Sequence, residues 1–223
     1  MKRYSLLIIV LLAVTCFSCR KEKTPGKTWA VYDRDGNGYD TVKIGTQFWL
    51  KQNLNTSHYK NGDPIPEITS QSLWDGLTTG AWCWYNNDSA TYAATYGKLY
   101  NWYAVNDPRG LAPEGWHIPS ESEWLLLRNT LGGPVVAGGF LKEAGTVHWL
   151  SPNTDATNSS RFTGLPGGYR LGGFGALGTG FFFWISTTPP AIRNTAIFYN
   201  MAQASLSNSY TKADGYSVRC IKN

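Results

Sequence analysis

An α+β architecture is the fold class this sequence predicts, and three observations predict it. Short β-rich runs open the chain and are punctuated by Asp-Gly and Asn-Gly pairs. Two segments in the middle carry helical spacing or helix-cap residues, and the last third returns to β-rich runs separated by glycine. Strands and helices segregated in this way pack as α+β rather than as alternating βαβ units. With 10 Trp, 13 Tyr, 9 Phe and 24 Gly, the composition describes a loop-rich mixed sheet whose irregular backbone is held by large rings.

Taken in order, "TWAVYDRDGNGYDTVKIGTQFWLKQNLN" holds two β-rich runs around Asp35-Gly36-Asn37-Gly38 and a third at Gln47 to Leu50. Such dipeptides between such runs are a strong hairpin signal. Asn61-Gly62-Asp63-Pro64 marks a turn, and "GAWCWYN" from Gly80 reads as a buried strand, with Asn86, Asn87 and Asp88 as the turn after it. A first helix is expected over Tyr92 to Val105, where Tyr96, Leu99, Tyr100 and Tyr103 share one face despite Gly97. A second follows Pro119: Ser120 caps it, Glu123 closes a capping box, and Glu121 and Glu123 suit the positive end of its dipole. Gly132-Gly133 ends it, and a short third helix is expected near Gly139 to Glu143. Strands are then expected at Phe162 to Leu165, Tyr169-Arg170, Gly180 to Ser186, Ala196 to Met201 and Gly215 to Ile221.

The first loop, "DRDGNGYDTVKI" at Asp33 to Ile44, has the opening of a calcium-binding EF-hand. Its twelfth position is Ile44 where a bidentate Glu is needed, and β-type runs replace the flanking helices. The loop therefore reads as a hairpin turn, in which Asp33 and Asp35 bond local backbone N–H groups. No metal or other cofactor is expected.

Lys2 and Arg3 followed by the apolar run Leu6 to Val14 form a secretory leader, too short to cross a bilayer, which takes about 20 residues. Cys16 and Cys19 stand at its end. Cys19, with Ser18 before it and a polar run after it, is the preferred acylation site of a lipoprotein; Cys16 is the alternative. Residues 1–18 are then signal peptide, 19–28 a flexible tether, and 29–223 a single domain. The expected location is outside the cytoplasm, lipid-anchored to the outer membrane or cell surface. Once Lys2 and Arg3 leave with the leader, the 20 basic residues fall to 18 against 15 acidic ones, and their scatter along the chain points to no nucleic-acid surface. Cys83 and Cys220 remain. In an oxidising compartment they either form one disulfide, worth about 4–5 kcal/mol in the chain-entropy account, or stay as two buried thiols.

Six segments carry a family resemblance: "TVKIGTQFWLKQNLNT", "GAWCWYNND", "YGKLYNWYAV", "LAPEGWHIPSESEW", "LPGGYR" and "GYSVRCIKN". Together, and in this order, they resemble the Fibrobacter succinogenes major paralogous domain, found in exported and lipid-anchored proteins of Bacteroidetes and Fibrobacter. A more distant similarity is to the C-type-lectin-like fold of formylglycine-generating sulfatase-modifying enzymes, through "GWHIPSESEW" and "GYSVRC". The resemblance implies N- and C-terminal strands lying side by side, two helices against a loop-rich sheet, and the Cys220 strand inside the core.

Catalytic chemistry finds little to use. Cysteines in apolar runs are poor redox groups, and His58, His117 and His148 lack ligand spacing. Glu121, Glu123, Glu143 and Asp155 are not paired as a glycosidase requires. The lectin-type calcium triplets are absent. Aromatic platforms remain: Trp74, Trp149 and Trp184, in glycine- or polar-rich segments, are the candidate ligand contacts. The expected function is a non-catalytic surface module that binds a glycan or a protein. The alternative is a structural subunit of a cell-surface assembly, recognisable by a large flat apolar patch.

Overall fold

A computed structural model describes residues 30–187, 192–209 and 211–223. The leader, both candidate acylation cysteines, the tether and Trp29 lie outside the described residues.

The described chain is a mixed α+β body built from small antiparallel sheets and five short helices. Strands β1 (Val31–Tyr32) and β2 (Gly38–Tyr39) form the first hairpin, in register Val31↔Tyr39. Gly36 takes φ 80° in its turn, a left-handed conformation that glycine adopts without strain. A four-stranded sheet follows in the order β3 (Thr41–Ile44), β4 (Gln47–Leu50), β13 (Ile221–Lys222), β7 (Trp116–His117). Ile221 pairs with Trp49 on one side and His117 on the other. The C-terminal strand thus sits between strands far upstream, and Cys220 beside it is fully buried.

The expected helix over Tyr92 to Val105 is corrected to three elements. Helix α2 covers Ser89–Tyr96, strand β6 covers Leu99–Tyr100, and helix α3 covers Trp102–Val105. Gly97 breaks the run at φ 68°, and Asn101 caps α3 by accepting from the Ala104 amide. The spacing that looked helical serves β6, which pairs with β5 (Trp82–Cys83). A helical turn, Tyr85–Asn87, follows β5, and Asp88 caps α2 through the Thr91 amide.

Helix α4 (Glu121–Thr130) has the full capping box: Ser120 Oγ accepts from the Glu123 amide, and the Glu123 carboxylate accepts from the Ser120 amide. Helix α5 (Ala137–Leu141) begins earlier than expected. Helix α1 (Gln71–Asp75) carries no apolar period long enough to be seen in the sequence. Strands β8 (Gly167–Arg170) and β9 (Phe174–Leu177) form a second hairpin. Strands β10 (Gly180–Ile185), β11 (Arg193–Phe198) and β12 (Ala204–Asn208) form a three-stranded sheet. Phe162 to Leu165 forms no strand, and the expected Gly215 to Ile221 strand is reduced to bridges from Gly215, Tyr216 and Ser217 and the terminal pair of β13.

Two large clusters fill the interior. One gathers Leu50, Tyr100, Trp102, Trp184 and Cys220; the other packs Trp49, Trp124, Trp149, Phe162, Phe181 and Phe183. A smaller one holds Trp74 and Cys83. Cys83 and Cys220 belong to different clusters and both are free thiols, so of the two states the sequence leaves open the structure has two buried thiols and not the disulfide.

Candidate functional site

The three tryptophans expected at the surface are all inside. Trp74 and Trp149 are 1 % exposed and Trp184 is fully covered. Each indole N–H reaches a backbone carbonyl from a distant segment: Trp74 to Ala213 at 2.5 Å, Trp149 to Gly164 at 3.0 Å and Trp184 to Tyr100 at 2.7 Å. Two of the rings also carry a buried cation, with Arg170 4.4 Å from Trp74 and Lys142 5.5 Å from Trp149. A polar sequence context therefore hid core residues, because partners remote in sequence satisfy their single donor. Trp84 is the only described tryptophan that is no more than half-buried, and the Lys98 ammonium lies 4.9 Å from its ring.

The polar constellation that the fold does build starts at the first hairpin. Asp33, 9 % exposed, accepts from the Asp35 and Asn37 amides at 3.0 and 2.9 Å, from Asn37 Nδ2, and from the Tyr39 hydroxyl at 2.6 Å. It anchors the turn as its position in the sequence predicts. Asp35 departs from that expectation. Its carboxylate reaches across to the next loop, where it accepts from the Ser57 amide and from Thr56 Oγ1 and contacts His58 Nδ1. Burial pushes Asp35 up, but the Ser57 amide, His58 and Thr56 outweigh it and hold the carboxyl below its ordinary value. The Tyr39 hydroxyl, donating to Asp33, also accepts from the Asn55 amide, so hairpin and loop are cross-tied.

Behind this loop lies Lys98, 3 % exposed. Its ammonium donates to Asn55 O at 2.8 Å and to Ser57 Oγ at 2.5 Å, and lies 4.0 Å from the Trp82 ring. Burial lowers it to about 8, against the pull of the Asp35, Asp33 and Glu67 carboxylates. A lysine of lowered pKa on a serine hydroxyl is the chemistry of a Ser–Lys nucleophile. Here the amine is sealed beneath two indoles, and the pair serves to hold residues 55–57 in place.

On the outer side of the same loop is a cleft of about 210 Å³, walled by Tyr32, Asp33, Arg34, His58, Lys60 and Glu114 and floored by Leu111 to Pro113. Tyr32 is 50 % exposed at its rim. Sequence reasoning passed over Tyr32. The available signal was its place in a two-residue strand, where alternation turns Tyr32 outward while Val31 packs against the core. The remaining histidines are tied to side chains outside the cleft: His117 Nε2 to Glu123 and Nδ1 to Asn223, and His148 Nδ1 to Glu143, each at 2.8 Å. Among the described residues no group of three His, Cys, Asp or Glu side chains is placed to hold a metal ion.

The fold and this surface define a compact α+β domain with a hairpin-built polar cleft and a C-terminal strand inserted centrally into its main sheet. The chain belongs to the Fibrobacter succinogenes major domain family, whose profile matches residues 42–222. Searches of curated proteins and of solved structures found no match.

Proposed function

We propose that this protein is a lipid-anchored, non-catalytic binding module of the cell envelope, with a C-type-lectin-like fold, and that it takes a glycan end group in the Tyr32 cleft. The observation that carries this reading is a half-exposed tyrosine ring beside a concave surface that offers Asp33, Arg34, His58, Lys60 and Glu114. A ring stacks on the apolar face of a sugar, while side chains of both signs meet hydroxyl groups. At about 210 Å³ the cleft falls below the usual 300–1,000 Å³ of pockets for drug-sized ligands, which favours one terminal unit over a longer chain. The cross-ties from Asp33, Asp35 and Lys98 hold both walls before ligand arrives, which lowers the ordering cost of binding. The fold assignment draws support from β13 lying beside β4, with α4 capped ahead of the core.

The assembly reading has less behind it. Exposed apolar side chains are distributed over α1 (Leu73), α4 (Leu126), the turn at Val135 and Val136, and the loop at Val147 and Leu150. A glycan array probed with a soluble form spanning residues 28–223 tests the proposal. Retained glycans are expected to be released by Tyr32→Ala, with the far-ultraviolet circular dichroism spectrum unchanged. Retention of no glycan, or equal retention by the variant, would sink it.

A further inference from the structure

A second surface, separate from the Tyr32 cleft, is built on the free edge of the main sheet. In the order β3-β4-β13-β7, strand β3 is terminal. The Lys51 amide bonds Asp40 O, and Val42 and Ile44 pair with Trp49 and Gln47 in the same phase. By antiparallel alternation the N–H and C=O groups of Thr41 and Lys43 therefore point away from β4. Neither of these two amides bonds a backbone or side-chain acceptor among the described residues. They face a groove of about 610 Å³ whose opposite wall is Ser159 to Arg161. Lys51 and Arg161 line it and no carboxylate does; Lys43, its ammonium 5.5 Å from the Phe48 ring, adds a third positive charge at the rim.

We infer that this groove receives an extended acidic peptide segment of a partner protein as an added strand on β3. An extended chain presents carbonyls every second residue, about 6.6 Å apart, matching the two outward amides. Charge selects among possible occupants. A lysine on an edge strand ordinarily guards against pairing; with Lys51 and Arg161 on the same groove, a neutral or basic strand is disfavoured and an acidic one attracted. A second copy of this chain, paired about a two-fold axis, would bring its own Lys43, Lys51 and Arg161 to the same edge and add like charge to like. The chain's own N-terminal segment brings Arg20, Lys21, Lys23 and Lys27 against one Glu22, and is repelled likewise.

The test is fluorescence anisotropy of a labelled nine-residue peptide of alternating Glu and Val, titrated with the full chain held in a non-ionic detergent. It is expected to bind at least tenfold more tightly than the Lys-for-Glu peptide, and to weaken with salt. The surface double variant Lys51→Glu, Arg161→Glu should lose at least tenfold in affinity, and a peptide with the same side chains but N-methylated amides should lose as much. Tyr32→Ala should change nothing, which separates this surface from the glycan cleft. Absence of binding overturns the inference. So does equal binding of the N-methylated peptide together with dextran sulfate, which marks a polyanion site without strand pairing, and so does loss of binding in the Tyr32 variant.

Discussion

Lys98, Lys142, Arg170 and Arg219 are each 3 % exposed or less, and among the described residues none of them forms an ion pair. Each is met instead by backbone carbonyls and an aromatic face. Lys142 donates to Thr154 O, Phe198 O and Met201 O, whereas Arg219 donates to Leu50 O, Phe162 O, Thr163 O and Asn53 Oδ1, with Phe162 4.6 Å from its guanidinium carbon. The cations thus tie carbonyls of loops and strand ends, which is how a loop-rich interior avoids orphaned acceptors. Lys98 makes the cost visible. Its pKa in the fold, about 8, lies below the 10.5 of the unfolded chain, so between those values the unfolded state binds the extra proton. The Lys98 contribution to stability therefore rises as pH climbs through that window. Urea unfolding of the wild type and Lys98→Met at pH 7 and pH 10 should show the wild type gaining on the variant at the higher pH. A difference independent of pH would refute the assignment.

At the scale of elements, glycine decides where α2 stops. Gly97 sits at φ 68°, and a Cβ there would stand 2.9 Å from Leu54 O and 3.2 Å from Asn53. Gly97→Ala should cost about 2 kcal/mol in chemical denaturation, from left-handed strain plus a displaced loop. A change below about half a kilocalorie would mean the junction between α2 and β6 relaxes freely. The same junction shows what a sequence makes legible. Local signals read true: the Ser120–Glu123 capping box and the Asp33 turn act over three or four residues, and both are present. Signals set by remote partners did not. Tyr96, Leu99 and Tyr100 have helical spacing, yet Tyr100 bridges Tyr216 and donates its hydroxyl to Thr56 O, contacts no local window contains. Trp74, Trp149 and Trp184 look solvent-facing among glycines and polar residues until distant carbonyls arrive. Asp35 looks like a turn residue until the Ser57 loop is placed beside it.

For the molecule as a whole, the two thiols belong to separate packed regions and take no part in closing the fold. Burial raises Cys83 to about 11 and Cys220 to about 12, leaving almost no thiolate at neutral pH. Intact mass of a folded form spanning residues 28–223 should be the same with and without reductant. Both thiols should react with a thiol reagent only after denaturant is added. A two-dalton difference on reduction would restore the disulfide.

The placing of β13 carries one more consequence, in the order of synthesis. The strand that joins Gln47–Leu50 to Trp116–His117 is the last two-residue pairing of the chain, Ile221–Lys222. Until those residues leave the ribosome, the sheet lacks its central member, and β4 and β7 have no bond to each other. Contacts between residues more than a hundred positions apart also form slowly. Under the export proposed above, the main sheet stays open until Ile221 and Lys222 have been made. The sheet closes only when β13 enters between β4 and β7.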